Sequence, residues 1–95
     1  MILETAILSV KPGQSAAFEA AMRKARRFIS ATPGFHNIEV RRCAETADRY
    51  LLLVWWETLE AHTVTFRESE RFPAWRSVWG HLMESASIVH VTQVY

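Results

Sequence analysis

The run Tyr50-Leu-Leu-Leu-Val-Trp-Trp56 limits what this chain can fold into more than any other stretch. Its seven apolar or aromatic residues are bracketed by Asp48 and Arg49 on one side and Glu57 on the other. That is far short of the about 20 residues needed to cross a bilayer. A bounded apolar run of this length reads as a strand buried on both faces. Alternation turns Leu51, Leu53 and Trp55 to one side and Tyr50, Leu52, Val54 and Trp56 to the other. Any fold for this chain must cover both sides.

The flanking segments supply one cover. Ile2 to Val10 is rich in apolar and β-branched residues and ends at Lys11-Pro12-Gly13, which predicts a strand and a turn. From about Gln14 to Ala31, Ala17, Phe18, Ala21, Met22, Ala25, Phe28 and Ile29 recur with helical spacing, and Ser15 is placed to act as the N-cap. Arg23, Lys24, Arg26 and Arg27 fall on the other faces and read as a solvated, dipole-compatible helix end. Thr32-Pro33-Gly34 stops the helix. Phe35 to Cys43 alternates as a second strand, with His36, Ile38 and Val40 on one face, and the polar Ala44–Arg49 turn makes it a hairpin partner of the central strand. A second helical segment follows in two pieces. Thr58 caps the first, which runs to about Arg67, and Pro73 sits in the opening turn of the second, which runs to about Met83. Ser87 to Tyr95 closes the chain as a last strand.

Strand, helix, strand, strand, helix, strand is the α+β, ferredoxin-like split βαβ order: a four-stranded antiparallel sheet with both helices on one face, in one domain over residues 1–95. Helices cover one face of the central strand, so a second subunit is expected to cover the other, giving a dimeric α/β barrel. Composition points the same way. A 95-residue chain that is 49% hydrophobic and holds four tryptophans carries more apolar surface than so small a core absorbs. A net charge of +1 leaves no electrostatic footprint for nucleic acid. One cysteine, Cys43, allows no internal disulfide, and the N-terminus lacks the basic start of a signal peptide. A cytoplasmic protein with no membrane partner is the expectation.

The reactive side chains cluster after the central strand. His62, Arg67, Arg76 and His81 are interleaved with Phe66, Phe72, Trp75 and Trp79, a composition that suits one wall of a small-molecule pocket and equally one wall of a core. Trp56-Glu57-Thr58-x-Glu60-Ala61-His62, then Phe66-Arg67-x-Ser69-x-x-Phe72-x-x-Trp75-Arg76, with Lys11-Pro12-Gly13 and Thr32-Pro33-Gly34-Phe35 upstream, resembles the antibiotic biosynthesis monooxygenase family over essentially the whole chain. The resemblance implies a homodimeric barrel with a pocket in each subunit. It also implies a range of activities: cofactor-free oxygenation of quinol-like or polyketide aromatics, haem degradation, and turnover of small signalling molecules. In the haem-cleaving relatives the ligand histidine lies four residues beyond the Phe of Ser-x-x-Phe. Arg76 stands there, and a guanidinium cannot ligate iron.

Cofactor-free oxygenation requires the substrate to supply the electron, because an ionised phenol or enol can reduce dioxygen directly. Such a site needs a base, a fixed cation beside the developing anion and a dry aromatic box. His62 is the candidate base, with His36 and His90 as rivals. Arg76 or Arg67 is the anion holder, and Trp56, Phe66, Trp75 and Trp79 are the walls. No cofactor and no metal are expected, and the partner is a small aromatic molecule. A pocket that binds such a ligand without turnover is the competing reading.

Overall fold

The computed structural model describes residues 1–95. Its elements are β1 (Ile2–Val10), α1 (Ser15–Ser30), β2 (Phe35–Arg42), β3 (Arg49–Trp56), a π-helical segment (Ala61–Phe66), α2 (Arg71–Trp79), a 3-10 turn (Gly80–Leu82) and β4 (Met83–Val91). The sheet order is β2-β3-β1-β4 with every neighbour antiparallel, and the helices lie on one face. This is the ferredoxin-like α+β arrangement. No helix is long and apolar enough to cross a membrane.

Alternation along the two central strands decides what the helices cover. Glu4, Ala6, Leu8 and Val10 of β1 and Tyr50, Leu52, Val54 and Trp56 of β3 are buried against the helical layer. Phe18, Met22, Ala25 and Ile29 of α1 meet them, the three-and-four spacing placing all four on one stripe. Phe18 packs on Tyr50 with the rings tilted and 4.7 Å between centroids, and it meets Trp79 edge-on at 6.3 Å, which ties α1 to both β3 and α2. On the opposite sheet face Leu51, Leu53 and Trp55 are only half-buried, and Ile7, Val89 and Val91 are exposed.

Local chemistry departs from expectation at four places. Ser15 is the first helical residue, not the cap; its hydroxyl donates to Asp48 Oδ1 at 2.5 Å and pins α1 to the β2–β3 turn. Between Phe35 and Asn37 the β2–β3 register shifts, so the bulge throws His36 out to solvent while Phe35, Ile38 and Val40 stay on the core side. The second helical piece stops at Trp79. The last strand begins at Met83, not Ser87, because the β1 edge offers Met83-Glu-Ser-Ala-Ser a ladder of backbone partners that outweighs its polar composition; Thr92 to Tyr95 lie beyond it.

Thr58 does cap the helical turn that follows β3: its Oγ1 accepts the Ala61 N–H at 3.1 Å. The turn then widens, Arg67 N–H donating to His62 O in an i→i−5 bond at 3.1 Å. Gly34 lets this segment approach the sheet. It has φ +90°, and a Cβ there would lie 2.7 Å from the Cβ of Ala61. Gly34→Ala is therefore expected to destabilise the fold by about 1–3 kcal/mol, through both backbone strain and overpacking. Urea denaturation measures it, and an unchanged midpoint would show that the segment moves freely.

Candidate functional site

Glu4 faces the core because strand alternation puts it on the side of Ala6, Leu8 and Val10. A carboxylate in that position, 4% exposed, requires partners. Trp56 Nε1 donates to Glu4 Oε1 at 3.0 Å. Burial holds the Glu4 carboxyl above its ordinary range, opposed by that hydrogen bond and by the charge of Arg67. His62, carried in from the π-helical segment, stacks on the Trp56 indole with 5.2 Å between centroids and 12° between planes. Its Nδ1 lies 3.5 Å from Glu4 Oε1 and 2.7 Å from His90 Nε2. His90 reaches this point because β4 pairs it directly with Glu4 across the β1 edge.

The electrostatics follow from burial. Desolvation, then the charges of Arg67 and His90, push His62 down to about 4. Burial and Arg67 lower His90 as well. Both rings are therefore neutral imidazoles at pH 7 and able to accept a proton. With Nδ1 engaged by His90, Nε2 is the His62 nitrogen left for a ligand.

A narrow cleft of about 40 Å³ runs from Glu4 and His62 past Phe66 and Trp75 to Trp79. Arg67, Phe72 and Arg76 also border a wider, shallow depression of about 770 Å³ that includes His81. The inner cleft holds only a water or so. An aromatic ring is larger than that, so it reaches His62, Phe66, Trp75 and Trp79 only once the Arg67–Phe72–Arg76 rim moves. Arg76 lies over the Trp79 ring at 4.8 Å and Arg67 beside Phe72 at 5.6 Å. Neither makes an ion pair, although Glu68 and Glu70 are close in sequence. A separate groove of about 350 Å³ between α1 and β2, with Arg23, Arg26 and Arg42, holds the surface Arg42–Glu19 pair and lies apart from this chemistry.

The structure thus brings His62, Phe66, Arg67, Trp75, Arg76 and Trp79 to one cleft. Trp56 is fully buried behind His62 and orients it together with Glu4, instead of lining the cleft. His90 is the neighbour of His62, whereas His36, exposed on its bulge, is not part of the cluster. Glu4 is the residue that motif reading missed. Its signal was present, an acidic side chain in phase with the apolar face of β1. No group of three His, Cys, Asp or Glu side chains is disposed to hold a metal ion.

Comparison with known proteins agrees with this architecture. The family described as antibiotic biosynthesis monooxygenase matches residues 1–78. The uncharacterised protein YczJ of Bacillus subtilis is 41% identical over 78 residues, 82% of each chain. A crystal structure from Bordetella bronchiseptica, assigned to the same family, superimposes with a TM-score of 0.95 at 36% identity, covering 99% of this chain and 97% of that one. SnoaB, a cofactor-independent oxygenase from Streptomyces nogalater, shares the fold at 17% identity with a TM-score of 0.85, covering 99% and 93%. The chain is a member of the antibiotic biosynthesis monooxygenase family.

Proposed function

We propose that this protein is a cofactor-independent monooxygenase that ionises a small acidic phenol, quinol or enol and lets the resulting anion react with dioxygen. The observation that carries the reading is a neutral, buried imidazole with one nitrogen free toward a cleft whose rim holds two unpaired arginines. Membership of a family named for monooxygenases supports it. His62 Nε2 takes the hydroxyl proton and Arg67 and Arg76 face the developing oxyanion. Phe66, Trp75 and Trp79 stack the ring and exclude water. The anion gives an electron to dioxygen, and recombination forms a carbon–oxygen bond. Breakdown of the peroxide leaves one oxygen on the substrate as a carbonyl and releases the other as water, with the two hydrogens lost from the substrate.

His62 is a weak base while Arg67 bears on it. A substrate anion settling against Arg67 neutralises that charge and removes one cause of the depression, so base and anion reinforce each other. The test is oxygen uptake by the purified protein across a panel of hydroquinones, anthrones and enols. Uptake that tracks the acidity of the hydroxyl supports the reading. Tight binding of these compounds with no oxygen consumed would instead make the protein a ligand-binding module.

The working unit in this reading is a homodimer. Leu3, Ile7, Leu51, Leu53, Trp55, Val89 and Val91 share the sheet face that no helix covers, a continuous apolar surface for another copy. Light scattering at low micromolar concentration is expected to give about twice the 11.0 kDa chain mass, and Leu53→Lys to halve it. A stable wild-type monomer over that range would remove the barrel.

A further inference from the structure

We propose that His62 and His90 form a two-station proton wire leading from the buried cleft to solvent at the β4 edge, with His90 as the outer station. The inference rests on the reading of His62 as the base and assigns what becomes of the proton it takes. His90 acts through His62 and does not touch the substrate.

The contact geometry couples the two tautomers. At 2.7 Å, two neutral ring nitrogens require one N–H donor and one bare acceptor. Glu4 decides which. Its Oε1, 3.5 Å from His62 Nδ1, favours the proton on that nitrogen. His62 then holds Nδ1–H and presents a bare Nε2 to the cleft, while His90 accepts at Nε2 and carries its own proton on Nδ1. The one buried side-chain polar atom without a partner is Trp79 Nε1. The free nitrogens of both histidines therefore open outward, His62 to the cleft it lines and His90, half-buried on the edge strand, to solvent. The charged groups facing the pair are Glu4 from β1 and Arg67 from the turn after the π-helical segment.

One passage balances as follows. The substrate hydroxyl proton moves to His62 Nε2, the Nδ1 proton of His62 moves to His90 Nε2, and the Nδ1 proton of His90 leaves to water. One proton is exported, neither ring keeps a charge, and both end in the opposite tautomer. A proton returning along the same path to the departing peroxide oxygen resets them. The wire removes the difficulty of a base that burial and Arg67 make weak, because no imidazolium accumulates in the core.

Two measurements on the full-length protein test it. In nitrogen-15 NMR of histidine-labelled wild type at pH 7, His62 is expected as the Nδ1–H tautomer and His90 as Nδ1–H with a hydrogen-bonded Nε2. A His62 ring protonated at Nε2 would overturn the wire whether or not a substrate is known. In oxygen uptake, His90→Ala is expected to lower kcat about 10-fold or more with KM little changed, and added imidazole to restore it in a saturable way. His90→Gln, which keeps the bulk and a donor but cannot pass a proton through, is expected to lose as much while holding the wild-type melting temperature. Wild-type turnover in both variants, or a loss that imidazole leaves untouched in both, overturns the proposal. A wild type that turns over no phenol or enol defeats the monooxygenase reading, and the NMR result still decides the wire.

Discussion

Replacing His62 with alanine is expected to slow oxygen uptake by about 10²- to 10⁴-fold at neutral pH, the usual range for a lost general base. Raising the pH should recover much of that loss, because the substrate then ionises without help. Arg67→Met and Arg76→Met should behave differently. Each removes a cation from the cleft rim, where neither has a carboxylate partner to compensate. If they hold the developing anion as oxyanion donors do, each costs about 2–4 kcal/mol in the barrier, and pH does not restore it. Arg67→Met has a second, separable signature: its charge is the next largest cause after burial of the depression of His62, so its loss should raise the His62 pKa above about 4. Oxygen uptake against pH, with NMR titration of the histidines, reads all of this. Wild-type rates in all three variants at every pH would place the chemistry elsewhere.

The fold itself should weaken in mild acid, and His62 should account for much of the loss. An unfolded imidazole takes up a proton as pH falls through about 6.5. Folded His62 resists until about 4. Between these values the unfolded state binds more protons, so stability is full above the upper value and declines until the lower one is passed, by about 3 kcal/mol. His90, also lowered, acts in the same direction. Glu4 acts against them: its raised carboxyl favours the folded state as protons are added, which relieves a strain that is present at neutral pH. Urea denaturation at pH 7 and pH 4.5 should show a large drop in wild type and a drop smaller by about 2 kcal/mol in His62→Gln. Equal drops would mean that His62 titrates as an exposed histidine does.

Much of this molecule is written in its local patterns. The double-faced apolar run of β3, the helical stripe of α1 and the Pro-Gly stops after β1 and α1 are signals between near neighbours, and they specify element order, sheet type and which faces are apolar. The word Trp56-Glu57-Thr58-x-Glu60-Ala61-His62 carried the family and the position of His62 after the central strand, because capping and strand exit are local as well. What only the tertiary structure decided depends on register. One extra residue in β2 turned His36 out to solvent, since a single slip exchanges the two faces of a strand. The pairing of Glu4 with His90 across β1 and β4, and the widened helical turn that lowers His62 between them, join residues far apart in sequence. Alternation states that Glu4 faces inward; only the packed sheet states what it faces. The electrostatics of the cleft rest on that contact, because the state of a buried carboxylate, a buried imidazole and a half-buried one is set by their neighbours and not by their own side chains.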